Sequence, residues 1–446
     1  RQRQMCIRDS LRKRKYTGQR EELVKNLPHS KVLHTIDERE QICDNCGSTM
    51  VKVGEEFVRT EVQFIPAKLK VIDHYRETYE CRSCRKNGTP YMEKAPVPYP
   101  PVLHSLASAS TITWLIHQKF ELSIPLYRQE KEWEALGLRL SRATMSNWLL
   151  VVYRDWLVHI VHRLKLELLK QRYLHIDETH VQVLKEPGRK NTSDSYMWVY
   201  CSIRDAVNPI RYFEYQPGRS GKYPEAFLRE YEGYIHTDAY SGYNAVSGVK
   251  RCLCYTHLRR AFVDALPKDI HNSEASKPAE AILRLNQLFN IESELEALPP
   301  DQKKKERLIR EKPLLEAFWS WAEKSAIGEL PKSKLSKAFH YALNNREGFW
   351  NYLEDGNCSI SNSLAENCIR PFVIGRKNWL FSGSPKGAEA SAGIYTLVET
   401  AKANGLAPMK YIKYILSDMP GSAFLEHPEY LDDYLPWNPL VKEFCR

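Results

Sequence analysis

The chain has 446 residues, and because domains typically hold about 100–200 residues, this length predicts two to four domains. Hydrophobic residues make up 43% and charged residues 27% of the chain, close to globular averages, which excludes a disordered chain or a fibre. No run of about 18 uncharged apolar residues occurs, and no apolar segment follows the basic N-terminus. We therefore expect neither a transmembrane helix nor a secretory signal. The eleven cysteines, four of them in two tight pairs, are typical of a reduced, cytoplasmic protein rather than of a disulfide framework.

The first 31 residues carry most of the net charge. They hold ten Lys or Arg against three acidic residues, a net +7, whereas the whole chain has +10. A basic arm on a nearly neutral body indicates a polyanion partner such as nucleic acid, with a solvated tail as the alternative. We take residues 11–40 as this arm. Its DNA-binding candidates are Arg12, Lys13, Arg14 and Lys15. Residues 1–10 begin without Met and read as a non-native leader, so we expect native N-terminal sequence to be missing.

Two C-x2-C motifs predict a zinc ribbon over residues 41–89. Four thiolates, those of Cys43, Cys46, Cys81 and Cys84, satisfy the tetrahedral coordination of one structural Zn²⁺. The strand-like alternation of the spacer predicts a hairpin that brings the two pairs together. A redox C-x-x-C is the alternative, but two pairs in one small module argue against it. The Pro-rich residues 90–101 that follow predict a stiff linker.

Residues 102–170 have helical periodicity and contain a helix-turn-helix pattern. One helix ends at Gly137, a short turn follows, and Ser141 is the expected N-cap of a second helix. In a DNA-binding helix-turn-helix the second helix enters the major groove, which would place Arg142 and Asn147 near the bases. An ordinary helical hairpin packed on the core is the alternative.

Short runs rich in Ile, Val and Tyr replace the helical pattern from residue 173. They predict the strands YLHIDETHVQVL, SYMWVYCSI, PIRYFEYQ and GYIHTDAY, with the helix-like KYPEAFLREY before the last, and therefore an α/β core. Residues 255–355 return to helical sequence, and a further helical part runs from residue 362 to about residue 417.

Three acidic residues lie at positions where burying an ionised carboxylate would cost free energy unless it has a partner. Asp177 is inside the first strand, and Asp238 ends the last one. Glu366 lies four residues after Asn362 and four before Arg370, so these three would share one polar face of a helix. Carboxylates from two strands and one helix are the ligands that two Mg²⁺ or Mn²⁺ ions need for phosphodiester chemistry. For each acid alone, a capping or salt-bridged role is the alternative.

In these and neighbouring stretches the sequence resembles the insertion sequence sixty-six family of bacterial DDE transposases. The four cysteines match that family's zinc-binding domain. The other matching stretches are LHIDET (174–179), RSG (219–221), TDAYSGYN (237–244), CYTHLRRAF (254–262) and, most specific of all, NSLAENCIRPFVIGRKNWLFSGS (362–384).

The resemblance implies a multidomain α/β protein with an RNase H-like, mixed-sheet catalytic domain. This domain would span residues 171–400, with a helical insertion at about 262–355, and a C-terminal helix and tail would follow over residues 401–446. The resemblance also implies that Asp177, Asp238 and Glu366 are the catalytic triad. They would bind two Mg²⁺ or Mn²⁺ ions per active site, beside the one structural Zn²⁺ of the ribbon.

Further candidates for DNA contacts lie near the acidic residues in the sequence. A buried core position is the alternative for the histidine, and surface ion pairs are the alternative for the cations. The candidates are His257, Arg260, Asn362, Arg370, Arg376 and Lys377. Cys252 and Cys254, beside His257, are better interpreted as buried thiols than as ligands of a second metal, because only three candidate ligands occur there.

We interpret the protein as a transposase that binds the terminal inverted repeats of its element, cleaves double-stranded DNA and joins the 3′-OH ends to target DNA. We expect a homodimer or larger assembly in the bacterial nucleoid, with small accessory proteins. The alternative is a zinc-ribbon DNA-binding repressor or domesticated transposase with an inert triad. A metal-dependent nuclease without strand joining is a closer alternative.

Overall fold

The computed structural model describes Lys25, Arg39, Gln41 and residues 29–35, 48–57, 59–60, 68–89, 91–267 and 276–446. The chain divides into two units, Arg1–Pro66 and Ala67–Arg446. In the first unit the Met50 N–H donates to the Gln41 carbonyl at 2.8 Å. No helix in the described parts of the chain is long and apolar enough to cross a membrane. Several predicted site residues lie outside the described residues, namely Arg12, Lys13, Arg14, Lys15, Cys43 and Cys46.

The second cysteine pair lies on a helical turn between two short strands. Strand β1 (Thr78–Glu80) pairs antiparallel with β2 (Met92–Lys94), and helix α1 (Arg82–Lys86) lies between them with Cys81 at its N-cap. The strand predicted before this pair is therefore much shorter than its alternating pattern. Residues 68–77 are exposed and form no strand, because alternation stabilises a strand only where one face is buried. β2 lies within residues 90–101, so the linker prediction is wrong for that segment.

The helices that follow agree with the helix-turn-helix pattern. Helix α2 (Ala109–Ile116) is extended by a π-helical turn, and α3 (Leu126–Ala135), α4 (Arg142–Val152) and α5 (Val158–Leu169) come after it. Gly137 has a φ of 95°, which favours glycine at a helix end. The Ser141 hydroxyl accepts the Thr144 N–H at 3.1 Å and caps α4. The two helices and the cap are confirmed, whereas DNA binding by them stays a prediction.

A mixed six-stranded sheet lies at the centre of the second unit. β3, β4 and β5 are antiparallel, whereas β3, β6 and β7 are parallel. The order is β5-β4-β3-β6-β7, and β8 pairs with the far end of β3. The strands are β3 (Tyr173–Val183), β4 (Asp194–Ser202), β5 (Arg211–Gln216), β6 (Gly233–Thr237), β7 (Val249–Leu253) and β8 (Phe381–Ser382).

The four predicted strands are confirmed as β3 to β6, and the predicted helix is the shorter α6 (Lys222–Phe227). β7 is not predicted from the sequence, because Lys250 and Arg251 interrupt its apolar pattern. β8 has only two residues, which is too short for any periodicity.

A group of helices forms a second hydrophobic core beside β6 and β7. Its aromatic residues include Phe262, Phe318 and Phe339, and Tyr234 of β6 and Leu253 of β7 belong to the same cluster. The insertion predicted at about 262–355 therefore packs next to strands β6 and β7. The helices are α7 (Tyr255–Asp264), α8 (Lys277–Glu294), α9 (Pro300–Ala326), α10 (Lys334–Asn344) and α11 (Arg346–Trp350).

The C-terminal helices are α12 (Ser363–Trp379), α13 (Pro385–Ala403), α14 (Pro408–Asp418) and α15 (Pro439–Cys445). Helix α13 covers the edge strand β5. The hydroxyl of Thr396 accepts the Phe213 N–H at 2.8 Å, and the hydroxyl of Thr400 accepts the Arg211 N–H at 3.1 Å. An edge strand exposes unpaired backbone donors, and these two hydroxyls, one helical turn apart, satisfy two of them.

The guanidinium of Arg307 joins the helices of the second core to the segment that leads into α12. Arg307 is 0% exposed and pairs with both carboxylate oxygens of Glu292 at 2.5 and 2.8 Å. It also donates to the carbonyls of Tyr352, Asp355 and Cys358 at 3.0, 3.1 and 2.8 Å. A buried charge is stable only when paired and hydrogen-bonded in this way.

Replacing Arg307 tests this connection. We expect Arg307→Met to lower the free energy of unfolding by about 3–5 kcal/mol, because the loss leaves Glu292 and three carbonyls without that donor. Urea denaturation measures the change. Arg310→Met is the matched control on the same helix, since it removes only an exposed ion pair with Glu294 and should leave stability nearly unchanged. Equal losses for the two variants would contradict the assigned role of Arg307.

Candidate active site

Asp177 and Asp238 lie on neighbouring parallel strands. β3 pairs with β6 so that His175 is opposite His236. Two residues beyond this last pair, β3 carries Asp177, and Asp238 directly follows β6. The two carboxylates are therefore neighbours, and the negative charge of Asp238 acts on Asp177.

Helix α12 brings Glu366 to the two aspartates. The helix begins directly after Asn362, which is 2% exposed and whose side-chain N–H donates to the Ile176 carbonyl at 2.7 Å. The side-chain oxygen of Asn362 accepts from the His175 ring at 3.0 Å. These bonds fix the start of α12 against β3, so that Glu366, one turn later, adds its charge to the surroundings of Asp177.

The pKa of Asp177 is raised from its ordinary value of 3.8 to about 7, mainly by burial and also by the negative charges of Glu178, Asp238 and Glu366. The Glu178 N–H, which donates to Asp177 at 2.9 Å, opposes the shift. The Oε1 atom of Glu366 is also buried and has no hydrogen-bond partner among the described residues. Oxygen ligands with this excess of negative charge fit a hard divalent cation such as Mg²⁺ or Mn²⁺.

A further buried carboxylate, Glu178, was not among the predicted site residues. Its side chain is 2% exposed and accepts hydrogen bonds from Tyr243 and Arg219. The Arg219 guanidinium also lies 3.8 Å from the Asp238 carboxylate and 3.9 Å from the centre of the Tyr240 ring. Arg219 thus neutralises Glu178 and connects it to the Asp238 loop. The signals in the sequence are an acid inside a buried strand and the arginine of the RSG stretch.

Sequence models of two known families match this chain. The model of the Transposase IS66 family matches residues 104–390, a range that contains the three carboxylates. The model of the zinc-finger binding domain of transposase IS66 matches residues 40–85, which contain the four paired cysteines. The chain belongs to the IS66 transposase family.

Three uncharacterized proteins of Sinorhizobium fredii (strain NBRC 101917 / NGR234) are similar to this IS66 family member. Protein y4hP is 27% identical over 417 residues, which cover 89% of this chain and 73% of y4hP. Protein y4jD is 26% identical over 430 residues, 93% of this chain and 81% of y4jD. Protein y4qI is 27% identical over 434 residues, 92% of this chain and 76% of y4qI.

In the described part of this IS66 family member, most of the residues predicted to contact DNA have exposed side chains. Arg142 and Asn147 lie on α4, and Arg370 and Lys377 lie on α12. Arg260 projects from α7, and its Nη2 atom lies 4.0 Å from the nearer oxygen of Glu366. These side chains are free to reach a phosphate or a base, although their role in DNA binding stays a prediction.

The side chains of Asn362 and Arg376, which were also predicted to contact DNA, make hydrogen bonds within the protein. The prediction that Asn362 contacts DNA is wrong in this structure, because the residue precedes α12 and its buried amide bonds to β3. The polar helix face predicted around Glu366 therefore lacks Asn362. Arg376 donates to the Thr179 hydroxyl at 2.9 Å and to the His180 carbonyl, and so joins α12 to the end of β3.

His257 lies beside the carboxylates rather than on the open surface. It is in the first turn of α7, and its Nδ1 atom is 3.8 Å from Oε1 of Glu366. Cys252 and Cys254 are both buried, as predicted.

The raised pKa of Asp177 predicts a cost to stability at neutral pH. The carboxyl ionises near 3.8 in the unfolded chain but near 7 in the folded protein. The folded state therefore binds more protons between these values, and this group lowers the free energy of unfolding as pH rises from about 4 to about 7. We expect Asp177→Asn to be more stable than the wild type at pH 8, by on the order of 1–4 kcal/mol, and to lose this advantage near pH 4.

Urea denaturation at the two pH values, without added divalent metal, measures this difference. Asp205→Asn is the control, because Asp205 is an exposed carboxylate in the loop between β4 and β5. A stability difference for Asp177→Asn that is the same at both pH values would argue against a raised pKa.

Proposed function

We propose that this chain is a DDE transposase that binds the terminal inverted repeats of its element, cleaves the DNA and transfers the 3′-OH ends to target DNA. The observation that carries the proposal is the convergence of Asp177, Asp238 and Glu366 from two parallel strands and one helix. Their mutual charge contributes to the raised pKa of Asp177. Membership of the IS66 transposase family supports the same reaction class.

The strand order supports an RNase H-like assignment for residues 171–400. Three antiparallel strands, β3 to β5, are consecutive in sequence, and the parallel strands β6 and β7 then add to the other side of β3. In this arrangement the first two carboxylates lie on adjacent central strands. Helix α12 supplies the third carboxylate after the helical insertion.

Asp177, Asp238 and Glu366 would hold Mg²⁺ or Mn²⁺ through their carboxylate oxygens. When bound, such ions activate the attacking oxygen and stabilise the leaving oxygen of a phosphodiester. The protein itself positions the three carboxylates, because Asp177 lies within β3, Asp238 directly follows β6, and Glu366 lies on the packed helix α12. The adjacent acid, Glu178, is ion-paired with Arg219, whose guanidinium also lies 3.8 Å from the Asp238 carboxylate.

Exposed cations near the carboxylates would bind phosphates on either side of the scissile bond. Arg260 lies next to Glu366, and Arg370 and Lys377 extend along the exposed side of α12. Guanidinium and ammonium groups pair with phosphate oxygens and fix the register of the DNA without reading its sequence.

Sequence reading is assigned to the helix-turn-helix of α3 and α4. Arg142 and Asn147 are exposed in the first half of α4, the part of a recognition helix that faces base edges. The basic arm, residues 11–40, would add affinity that depends on salt but not on sequence. Joining requires that both ends of an element be held together, so we expect a homodimer or larger assembly on paired ends, with small accessory proteins.

Cys43, Cys46, Cys81 and Cys84 would hold one structural Zn²⁺. The zinc-finger match over residues 40–85 supports this assignment. Four protein ligands leave no open position, so this ion would have a structural role.

A cleavage and joining assay tests the proposed reaction. The substrate is the element's own end DNA, taken from its flanking genomic sequence, with Mg²⁺ or Mn²⁺. We expect metal-dependent 3′-OH ends and covalent donor–target products. Asp177→Asn should reduce both by at least about 100-fold and leave DNA binding nearly intact, because it removes a metal ligand. Asp205→Asn, which changes an exposed carboxylate, should keep both activities.

The products separate the alternatives. Cleaved ends without joined products would indicate a metal-dependent nuclease. Specific binding of the ends without any cleavage would favour a DNA-binding repressor or a domesticated transposase with an inert triad.

The helix-turn-helix assignment makes a separate prediction. Arg142→Ala and Asn147→Ala should each weaken binding to the terminal repeat by about 1–3 kcal/mol, the usual contribution of a major-groove base contact. Fluorescence anisotropy with the repeat and with a scrambled duplex measures the effect. Lys170→Ala is the control, because Lys170 is an exposed cation of the same helical region that pairs with Glu167. Equal losses on both duplexes would contradict base reading by α4.

A further inference from the structure

A cysteine, a histidine and the third carboxylate meet where helix α7 begins. Cys254 is the N-cap of α7, His257 lies in its first turn, and Glu366 faces them from α12. The sulfur of Cys254, a ring nitrogen of His257 and a carboxylate oxygen of Glu366 all lie within 4.8 Å of one another. The sequence alone favours buried thiols here, and the fold adds the carboxylate that no local spacing reveals.

Two of these polar atoms lack the hydrogen bonds that buried polar atoms normally make. The His257 side chain hydrogen-bonds to the Cys254 thiol within this cluster. However, Nδ1 of His257 and Oε1 of Glu366 are buried, and neither atom has a hydrogen-bond partner in the described parts of the chain. They lie 3.8 Å apart, too far for a hydrogen bond between them. Buried polar atoms without partners are rare because they are costly, so this pair requires an explanation.

The spacing of the cluster suits a tetrahedral metal. Zinc bonds of about 2.0–2.3 Å place tetrahedral ligand atoms roughly 3.3–3.8 Å apart. A nitrogen and an oxygen ligand belong at the short end of that range, roughly 3.3–3.5 Å apart. Small side-chain rotations would therefore have to bring His257 and Glu366, which lie 3.8 Å apart, and the sulfur onto one ion. The Asn362 N–H donates to the sulfur of Cys254 at 3.1 Å, as outer partners of metal ligands do. Arg260 lies 4.0 Å from the other oxygen of Glu366, too far for a hydrogen bond. Oε1 would therefore bind this metal, and Oε2 would stay available to the ions held with Asp177 and Asp238.

We propose that Cys254, His257 and Glu366 form a second zinc site, with a fourth position open to water. A thiolate, an imidazole and a carboxylate are ligands that Zn²⁺ accepts, whereas Mg²⁺ avoids sulfur. The site therefore differs in chemistry from the all-oxygen set formed with Asp177 and Asp238, although the two share Glu366. A zinc ion here joins the start of α7 to the first turn of α12 and holds one oxygen of Glu366 in place.

A neighbouring cluster of the same kind does not qualify. His236, Cys252 and Cys358 also approach one another within 4.8 Å, and all three are buried. However, Nδ1–H of His236 donates to the Leu174 carbonyl at 3.2 Å, and its Nε2 accepts the Ser359 N–H at 2.9 Å. Both ring nitrogens are therefore occupied, and the cluster lacks the unsatisfied atoms that mark the first one.

Zinc content measured on the full chain without DNA tests the proposal. The wild type should bind about two equivalents of zinc, one in the ribbon and one in this site. Cys254→Ser should lose about one equivalent and keep the other. Changing the four ribbon cysteines to Ser should lose the complementary equivalent. In that ribbon variant, added Co²⁺ should give a thiolate-to-cobalt absorption band that disappears with Cys254→Ser.

Cys252→Ser is the matched control, because it removes a buried thiol two residues away whose sulfur lies in the other cluster. It should leave the zinc content unchanged, and circular dichroism checks that each variant is folded. Equal zinc content in Cys254→Ser and the wild type would overturn the proposal, as would loss of zinc in Cys252→Ser alone. Zinc binding is read without the transposition reaction, so failure of this site and failure of the proposed function are distinguishable.

Discussion

The arrangement of the carboxylates depends on the hydrogen bonds of one buried side chain, Asn362. Its amide bonds to the Ile176 carbonyl of β3, next to Asp177, and its backbone N–H bonds to Cys254 at the start of α7. These hydrogen bonds hold the central strand β3, the start of α7 just after β7, and the start of α12 together. A buried amide that loses such a partner carries the full cost of desolvation, which makes this junction rigid. Glu366 follows one helical turn later, so its position depends on the hydrogen bonds that Asn362 makes.

The neighbouring buried acids Asp177 and Glu178 differ in their interaction partners. Glu178 is neutralised by Arg219 and hydrogen-bonded by Tyr243, so it is satisfied within the protein. Asp177, the preceding residue in the same strand, accepts the backbone N–H of Glu178, and its pKa rises to about 7. The alternation of a strand directs the two neighbouring side chains to opposite faces. Arg219, which pairs with Glu178, also lies 3.8 Å from Asp238, so it adds positive charge beside one of the proposed ligands.

The helical insertion completes the sheet. The side chain of Asn351 donates to the Arg251 carbonyl of β7 at 2.8 Å, and the helix before it packs against Leu253 through the close approach of Gly348. The opposite edge, β5, is covered by the threonine hydroxyls of α13. Side chains of neighbouring elements thus bond to two backbone N–H groups of β5 and to one carbonyl of β7, which reduces the number of unpaired groups at these edges.

Local patterns in the sequence predict several elements of this protein correctly. Strands β3 to β6 follow from alternation and β-branched content, and α4 follows from the Ser141 cap. Asp177 inside a strand, Asp238 at a strand end and Glu366 on a polar helix face are each a candidate from local pattern, and the family resemblance is what joins them as a triad. Other features become visible only in the folded chain: the pairing of β7 with β6, the ion pair of Glu178 with Arg219, the burial of Asn362, and the proximity of Cys254 to Glu366. Each of these depends on contacts between residues far apart in the chain, and the geometry of such contacts is set by packing, which no short-range spacing records.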